Sequence, residues 1–281
     1  MIITKLQGGL GNQMFQYAIG RSLSIKSNAQ LKLDISHFTN DNLRKYRLNY
    51  LNIIENIASK KEIKKIYNNF NKLFDNLKPF KKKIIVEKNI NFNKNILELK
   101  DNFYLYGHWA CEKYILDIKP ILSKEFTPKN ILNENLQKNL KSIEQTNSVS
   151  LHIRRGDYLT EKISKIFKIT TLEYYKKAID KILEKEKNPY FYIFSDDIEW
   201  TNANLKISCP FHFVSQDNLE DYEELYLMSK CKHNIIANSS FSWWGAWLNN
   251  NPDKIVIAPQ EWFNDNSKNV SDLLPSDWIK I

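Results

Sequence analysis

Two of the five arginines in this chain stand side by side, in the stretch HIRRGDY at residues 152–158. Lysine and arginine together number 41, so the chain takes its positive charge almost wholly from lysine. Arginine presents a planar fork of N–H donors that binds phosphate or carboxylate oxygens in pairs, whereas the lysine ammonium group is a compact point charge. Arg154 and Arg155 therefore predict a site that holds a diphosphate or carboxylate ligand in a fixed orientation.

The neighbours of the arginine pair extend this prediction. Gly156 gives the backbone room to turn, and Asp157 either fixes one guanidinium group or acts as a base. Of the five histidines, His152 is the one that we expect to contact the ligand, because it lies inside the arginine motif. Spacing alone leaves a second interpretation open, in which the motif is only a structural ion pair between arginine and aspartate.

A second stretch, GGLGNQ at residues 8–13, places three of the seven glycines within four positions. It follows a predicted strand and opens a predicted helix, which suits close approach of the backbone to a ligand. Met14 stands where the dinucleotide fingerprint has its third glycine, and no Lys-Ser/Thr pair follows, so the stretch is neither that fingerprint nor a P-loop. A plain tight turn is the alternative, although such a turn would not require the polar residues that follow. The candidate contacts with substrate in this loop are Gly9, Gly11, Asn12 and Gln13.

Two further stretches place polar groups after predicted strands. In NSSFSWWGAWL, Ser239 and Ser240 begin a helix, where hydroxyl and free backbone N–H groups can bind an anion. In FSDD, Asp196 and Asp197 can accept hydrogen bonds from a nucleobase or a ribose. Paired carboxylates can also chelate Mg²⁺, but a metal-dependent sugar-nucleotide enzyme more typically has a DxD motif.

The tryptophans at helical spacing in the first of these stretches are expected to be core residues, with a wall for a sugar or base ring as the alternative. They are Trp243, Trp244 and Trp247.

The remaining histidines and the cysteines do not indicate a metal site. The five histidines form no HxxxH or HExxH pattern, and the three cysteines form no CxxC pair. We expect the cysteines to be buried free thiols, and we expect neither a metal nor another cofactor.

The elements that must position these residues alternate between strand and helix. In the second half, apolar runs typical of strands alternate with amphipathic runs typical of helices. Strands are predicted at residues 149–153, 190–195, 209–215, 234–238 and 254–259, and helices at residues 170–186, 217–231 and 239–249. This alternation predicts an α/β fold with a parallel sheet covered on both faces and with ligands at the carboxyl ends of the strands.

The first half has fewer motifs. It contains predicted strands at residues 1–6, 31–34 and 102–111, and predicted helices at residues 14–27, 60–74 and 131–146. Because the last of these helices ends the first half, we expect two domains, residues 1–146 and 147–281.

The charge of the chain favours one class of partner but does not identify the partner. The formal net charge is +9 and the isoelectric point is near 9.2, which favours anionic partners. A basic run at residues 78–83 is expected to be a solvated loop, with contact to a membrane or an anionic glycan as the alternative. No apolar run approaches the roughly 18 residues of a membrane span, and the N-terminus does not resemble a signal peptide. We therefore expect the mature chain to start near Met1.

Taken together and in order, GGLGNQMFQYA, HIRRGDY, FSDD and NSSFSWWGAWL resemble the bacterial α-1,2-fucosyltransferases of glycosyltransferase family 11, over nearly the full length. The resemblance implies a GT-B architecture, with two Rossmann-like lobes whose parallel sheets face a cleft. Residues 1–146 would form the acceptor-side lobe, and residues 147–281 the lobe that binds the GDP-sugar. It also implies inverting, metal-independent transfer of L-fucose from GDP-fucose to the 2-hydroxyl group of a terminal galactoside.

The same resemblance assigns roles to individual residues. Arg154 would bind the diphosphate, Asn12 would reach the donor phosphate or the acceptor, and the general base would be Asp157, Glu161 or no residue at all. The catalytic candidates are thus Arg154, Asp157 and Asn12. The candidates for substrate binding are His152, Arg155, Gly9, Gly11, Gln13, Asp196, Asp197, Asn238, Ser239, Ser240 and Phe241.

Two alternatives stay open at this point. One is a GT-B transferase that uses another nucleotide sugar or makes another linkage. The other is a non-catalytic module that binds glycans or nucleic acid, which the scattered lysines do not favour, so we expect no nucleic-acid partner. The acceptor would be a galactose-terminated oligosaccharide or a lipid-linked glycan of lipopolysaccharide or O-antigen biosynthesis. The expected location is the cytoplasm, with peripheral contact at the inner membrane face as a hypothesis. The sequence does not indicate an oligomeric state.

Overall fold

The computed structural model describes residues 1–41, 43–68, 84–265 and 270–281, and these form two compact units. Unit 1 comprises Met1–Thr127 with Ser271–Leu273, and unit 2 comprises Pro128–Val270 with Leu274–Ile281. The basic run predicted at residues 78–83 lies outside the described residues.

The division between the units falls at Thr127, whereas the sequence placed the boundary after residue 146. The difference arises because the helix Glu134–Gln145 packs in unit 2. Its buried residues Leu136 and Ile143 belong to the same apolar cluster as Phe194. The amphipathic pattern of this helix therefore indicated a buried face, but not the sheet that covers it.

Unit 1 is built on a parallel sheet of four strands within its described residues, in the order β2-β1-β4-β3. The strands are Ile2–Lys5 (β1), Leu31–Asp34 (β2), Ile84–Val86 (β3) and Phe103–Tyr106 (β4). The α-helices are Leu10–Ser27 (α1), Lys60–Asn68 (α2) and Lys119–Glu125 (α3). The strand at residues 84–86 and the helix α3 had not been predicted; every strand predicted in this half overlaps an observed one.

Helix α1 begins at Leu10, four residues before the predicted start, because the second part of the glycine stretch is helical whereas Gly9 is extended. The helix is buried on nearly all sides, including the predicted face with Phe15, Ala18 and Ile19. It ends at Ser27, followed by Asn28 in the left-handed conformation with φ of 50°, which asparagine tolerates better than most residues.

Unit 2 contains a parallel sheet of six strands among the described residues, in the order β10-β9-β8-β5-β6-β7. The strands are Asn147–Ile153 (β5), Pro189–Ser195 (β6), Phe211–Phe213 (β7), His233–Ile235 (β8), Val256–Ala258 (β9) and Ile279–Lys280 (β10). The α-helices are Glu134–Gln145 (α4), Glu161–Ser164 (α5), Leu172–Leu183 (α6), Ile198–Asn204 (α7), Asp221–Lys230 (α8) and Ser240–Trp247 (α9). The α/β class with parallel sheets is thus confirmed; β10, α5 and α7 had not been predicted.

Two apolar clusters cover the two faces of this sheet. One joins β5 to α6, and the other joins β6 to α4 and α8. The three tryptophans of α9 are buried and pack on one another, which confirms that they are core residues. Of the cysteines, Cys111 and Cys231 are buried free thiols as predicted, and Cys209 is half-buried.

The order of the six strands defines where a ligand can bind. From β5 the chain moves through β6 to β7 on one side, whereas β8, β9 and β10 continue on the other side. Neighbouring strands whose connections run in opposite directions leave a crevice at their carboxyl ends. In unit 2 that crevice lies between β5 and β8. Among the described residues, no helix combines the length and the apolar character that crossing a membrane requires.

Gly20, in the middle of α1, tests the packing of unit 1. A Cβ atom there would lie 2.3 Å from Thr4 Oγ1 and 2.8 Å from Leu31 Cδ1. Replacing glycine by alanine in a helix normally stabilises by up to about 1 kcal/mol, but overpacking costs about 1–3 kcal/mol. We therefore expect Gly20→Ala to lower the free energy of unfolding in urea titrations. Lys26→Ala on the exposed side of α1 should change it by less than about 0.5 kcal/mol; a stabilised Gly20→Ala protein would contradict the packing.

Candidate active site

Arg154 directly follows β5, and two carboxylates hold its guanidinium group. Nη2 donates to Asp157 Oδ1 over 2.6 Å, and Nη1 lies 2.9 Å from Asp196 Oδ2. A guanidinium group has five N–H donors, so these two bonds leave about three for a ligand. The side chain is 22% exposed, which keeps part of the fork accessible at the edge of the sheet.

Asp196, at the end of β6, organises the whole turn that carries the arginines. Its Oδ2 atom binds the Arg154 side chain, and its Oδ1 atom accepts a hydrogen bond from the backbone N–H of Arg155 over 2.8 Å. At Gly156 an added Cβ atom would lie 2.6 Å from Asp196 Oδ2. Only glycine therefore lets the turn approach this carboxylate so closely.

Arg155 is held from two sides. Its Nε atom lies 3.3 Å from Asp197 Oδ2, and its guanidinium carbon lies 3.5 Å from the centre of the Trp200 ring. Asp197 also caps α7, because its Oδ1 atom accepts from the backbone N–H of Trp200 over 3.2 Å. The structure thus contains the ion pairs that the sequence left as an alternative, and these pairs fix the orientation of both arginines.

The two aspartates had been predicted to contact a nucleobase or a ribose. In the structure, Asp196 and Asp197 use both carboxylate oxygens to hold the arginines and α7. Direct contact with the nucleoside stays a prediction, and it would have to use the remaining lone pairs of these oxygens.

His152 lies under the arginine turn and is 4% exposed. Its ring is 5.5 Å from the ring of Phe241, which follows β8. Burial, with a smaller effect of the Arg154 charge, lowers the pKa of His152 to about 3, so the imidazole is neutral at physiological pH. Its Nδ1 atom finds no hydrogen-bond partner within the part of the chain that the structure describes.

The segment after β8 is joined to the arginine turn. Tyr158 donates its hydroxyl hydrogen to the Asn238 carbonyl oxygen over 2.8 Å, and the Asn238 amide donates to the Trp262 carbonyl oxygen over 3.1 Å. Ser239 caps α9 by accepting from the backbone N–H of Phe241 over 3.3 Å. Ser240, half-buried, is the first residue of that helix. The predicted residues of unit 2 therefore form one connected site at the crevice between β5 and β8.

Glu224, on α8, is a residue of this site that the sequence did not indicate. Its carboxyl group is half-buried beside Ser215, whose Oγ atom accepts from the backbone N–H of Ser195 at the end of β6. Burial raises the pKa of Glu224 to about 7, with smaller contributions from the charges of Asp221 and Asp196. It is one of three acidic residues in the first turn of its helix, a common pattern that carries no signal of function.

The two candidates for a general base differ in their surroundings. Asp157 is bound to Arg154, whereas Glu161 is exposed and pairs with Lys165 over 2.6 Å. Neither contact selects one of them, and the choice between Asp157, Glu161 and no base stays open.

The predicted residues of unit 1 lie where β1 leads into α1: Gly9 precedes the helix, and Gly11, Asn12 and Gln13 belong to its first turn. Gln13 is fully buried; its amide nitrogen donates to the carbonyl oxygens of Gly8 and Lys45, and its amide oxygen accepts from the backbone N–H of Arg47, each over 2.9 Å. Gln13 therefore fixes the loop. Its predicted contact with substrate stays a prediction that would require one of these bonds to be exchanged.

The backbone just before α1 is more open. Gly8 has a φ of 77°, and a Cβ atom on Gly9 would meet nothing closer than Arg44 Nη1 at 3.9 Å. Asn12 is half-buried and Gly11 is buried. The open backbone at Gly9 suits the close approach of a ligand that the glycines predicted.

No group of three His, Cys, Asp or Glu side chains that could hold a metal ion occurs among the described residues.

Two units with parallel sheets, and an arginine fork at the switch point of one of them, define an α/β protein with an anion-binding site at a sheet edge, as in many nucleotide-binding enzymes. The family described as Glycosyl transferase family 11 matches residues 1–281. The chain therefore belongs to glycosyltransferase family 11 and is a glycosyltransferase, as its motifs predicted.

Relatives with known names agree with this assignment. An alpha-1,2-colitosyltransferase of Escherichia coli is 38% identical, over 100% of this chain and 99% of that protein. The O-antigen biosynthesis glycosyltransferase WbnK of Escherichia coli is 36% identical, over 98% and 99%. Galactoside alpha-(1,2)-fucosyltransferase 1 of Saimiri boliviensis boliviensis is 25% identical, over 66% of this chain and 54% of that protein.

Solved structures share the fold at low sequence identity. The fucosyltransferase NodZ from Bradyrhizobium matches with a TM-score of 0.53 and 10% identity, over 87% of this chain and 91% of that one. NodZ alpha-1,6-fucosyltransferase co-crystallized with GDP matches with the same TM-score and identity, over 87% and 90%. The predicted GT-B fold is thereby confirmed.

Gly156→Ala tests the role of Asp196 in the site. The added methyl group must displace the Asp196 carboxylate, which frees the Arg154 guanidinium group to move. Because hydrogen bonds to charged groups are worth about 1.5–3 kcal/mol, we expect GDP to bind at least about tenfold more weakly in calorimetric titrations. Melting curves control for unfolding; a folded Gly156→Ala protein with unchanged GDP affinity would contradict the assignment.

Proposed function

We propose that this protein transfers L-fucose from GDP-fucose to the 2-hydroxyl group of a terminal galactoside, with inversion and without a metal ion. The observation that carries the proposal is the Arg154 fork, which Asp157 and Asp196 hold at the crevice between β5 and β8. The names of two relatives, an alpha-1,2-colitosyltransferase and a galactoside alpha-(1,2)-fucosyltransferase, support the linkage.

The arginines act on the leaving group. The bond between the anomeric carbon and the phosphate oxygen breaks, and its electron pair stays with GDP. The acceptor oxygen attacks the opposite face of the sugar and loses its proton to a base or to the phosphate. Guanidinium groups that already point in fixed directions stabilise the charge that develops on the diphosphate without reorganising. Because both arginines lie in unit 2, that unit would bind the donor. Unit 1 would then bind the acceptor.

Glu224 is suited to select the guanine base. Guanine presents an N1–H and an N2–H₂ group on one edge, and an ionised carboxylate accepts hydrogen bonds from both. Glu224 lies beside Ser215, which accepts a hydrogen bond from the end of β6 next to the arginine turn. We infer that its carboxylate binds this edge of the base, with His152 and Phe241 as further contacts of the nucleoside.

A second donor is worth testing because one relative is named a colitosyltransferase. Colitose is fucose without the 3-hydroxyl group. A site that hydrogen-bonds a hydroxyl group rejects the analogue that lacks it by about 10⁴-fold or more, whereas an apolar pocket discriminates weakly. The relative rates of transfer from GDP-fucose and GDP-colitose in a competition assay therefore show which sugar the donor pocket prefers.

The acceptor and the location are further parts of the proposal. A relative that is named for O-antigen biosynthesis supports a lipid-linked or oligosaccharide acceptor. Such an acceptor places the enzyme in the cytoplasm, with peripheral contact at the inner membrane face. Sedimentation with anionic liposomes tests that contact, and a protein that stays in the supernatant would dispose of it.

The direct test of the function is incubation with GDP-fucose and lactose, in buffer with and without EDTA, followed by NMR analysis of the product. We expect an α-1,2-linked fucose on galactose and equal rates in both buffers. No product with GDP-fucose, or a product with another linkage, would contradict the proposal, and a loss of rate in EDTA would contradict its metal-independent chemistry.

Arg154→Ala should lower the turnover number by about 10²–10³-fold, because a fixed donor to the developing charge is lost. Arg154→Lys should recover only a small part of this loss, because an ammonium group cannot bind Asp157, Asp196 and a phosphate oxygen in one plane. Steady-state kinetics with saturating acceptor measure both variants. A lysine variant near the wild-type rate would show that only charge is needed at this position.

Glu224→Gln should weaken GDP binding and reduce its dependence on pH. Since guanine donates to the ionised carboxylate, wild-type affinity should rise as the pH increases through about 7, where Glu224 loses its proton. The amide side chain of the variant cannot ionise, so its affinity should keep only the pH dependence that the terminal phosphate of GDP, with a second pKa of about 6, imposes on both proteins. At pH 8 the variant should also melt at a higher temperature, because the raised pKa means that the buried charge opposes folding above pH 7.

Asp221→Asn is the matched control for this experiment. It removes a neighbouring negative charge that raises the pKa of Glu224, so the midpoint of the pH dependence should move to lower pH. Calorimetric titrations with GDP between pH 5.5 and 8.5 would contradict the assignment if the wild-type protein and the Glu224→Gln variant gave parallel curves.

A further inference from the structure

The turn at residues 107–109 follows β4 in unit 1. It lies at the same edge of the sheet as the glycine stretch at residues 8–13. The strands β1 and β4 are neighbours although they are far apart in the chain, and Ile2 pairs with Phe103 while Thr4 pairs with Leu105. Their carboxyl ends are therefore level. In a parallel sheet, loops from such a pair of non-consecutive strands border the position where a ligand binds.

Trp109 in this turn has a φ of 59°, the left-handed region that bulky residues rarely enter. Its side chain is 2% exposed, and its indole N–H has no hydrogen-bond partner among the described residues. One residue thus combines an unfavourable backbone conformation with an unpaired buried donor. Such costs persist where the surroundings impose them, and they cluster at sites that bind ligands.

Glu87, just beyond β3, imposes this conformation. Its Oε2 atom accepts from the backbone N–H of His108 over 2.6 Å, and its Oε1 atom accepts from the backbone N–H of Trp109 over 2.9 Å. A Cβ atom on Gly107 would lie 2.3 Å from Glu87 Cβ, so the turn needs glycine to reach this carboxylate. A single side chain therefore holds two consecutive backbone groups.

The consequence of the turn is the position of His108. While Trp109 is buried, the His108 side chain is exposed at the sheet edge. Desolvation by its neighbours lowers the pKa of the imidazole, which keeps it neutral near pH 7. A neutral imidazole offers one donor and one acceptor, which matches the hydroxyl groups of an uncharged sugar.

Other polar groups at this edge are committed to the protein. The buried Asp34, at the end of β2, accepts from the Tyr104 hydroxyl group over 2.6 Å and from the backbone N–H of Ser36 over 2.9 Å. The nearby His37 pairs with Asp41 over 3.0 Å. His108, in contrast, makes no hydrogen bond through its side chain to the residues that the structure describes.

We propose that His108 binds a hydroxyl group of the acceptor galactoside and that Glu87 is the positioning residue that presents it. This inference rests on the proposed function for the class of acceptor, and it assigns the specificity for that acceptor to the turn after β4. It assigns no proton transfer to His108.

Titration of methyl β-galactoside, with and without GDP, tests the proposal. We expect His108→Ala to lower the affinity for the galactoside about tenfold, and His108→Gln, which keeps a donor and an acceptor, to recover part of the loss. His37→Ala is the control at the same sheet edge and should match the wild-type protein. The affinity for GDP should be the same in all four proteins.

The outcomes separate this proposal from the proposed function. Equal galactoside affinity in the wild-type protein and His108→Ala, an equal loss in His37→Ala, or no galactoside binding at all would overturn the role of His108. A wild-type protein that binds the galactoside through His108 but does not bind GDP would contradict the donor assignment and leave this inference standing.

Glu87→Gln tests the positioning role. An amide can accept only one of the two backbone hydrogen bonds, so the turn should relax and the galactoside KM should rise, while the rate of GDP-fucose hydrolysis without acceptor stays at the wild-type value. A merely structural role would lower both activities together, and that result would contradict the assignment.

Discussion

The carboxylate of Asp196 is the contact on which the candidate active site depends. One of its oxygens binds the Arg154 guanidinium group, and the other binds the backbone N–H of Arg155. The two bonds lock a turn of the chain and a side-chain fork in the same orientation. Because the turn follows β5 and the carboxylate follows β6, the pairing of two adjacent strands is converted directly into the geometry of an anion site.

This arrangement reconciles two interpretations that are usually opposed. Carboxylates of the protein itself bind both arginines, and internal ion pairs of this kind are often only structural. Here they use part of the donor capacity of Arg154 and stop the guanidinium groups from rotating. A catalyst that stabilises a developing charge benefits from dipoles that are already in place, so the internal carboxylates contribute to function by restricting motion.

The sequence predicted the fold well where the physical signal was strong. Strands buried on both faces appear as apolar runs, and every predicted strand overlaps an observed one. The strands it missed, β3 and β10, have three and two residues, and the helices it missed, α3, α5 and α7, have seven, four and seven residues. These elements are too short for a periodic pattern. The helix α4 was found, but its amphipathic pattern could not indicate that its apolar side packs in unit 2.

For the site, the residue types in the sequence indicated which residues would be functional, but the sequence did not indicate which of them would bind one another. The arginine motif and the aspartates come together, but Asp196 is 41 residues from Arg155 in the chain, and spacing over that distance does not reveal a hydrogen bond. Gln13 was predicted to contact substrate, and the hydrogen bonds that it makes in this structure are internal. The sequence did not indicate Glu224 or the turn at Trp109, because burial and a positive φ are properties of the folded chain.

A crystal structure of the protein with GDP tests the central claim most directly. We expect the diphosphate to lie in the crevice between β5 and β8, with at least one of its oxygens within about 3.2 Å of an Arg154 nitrogen, and with the bond from Arg154 to Asp196 retained. If the Arg154 fork remained closed on its two aspartates and the diphosphate bound away from both arginines, the account of the leaving group would be wrong.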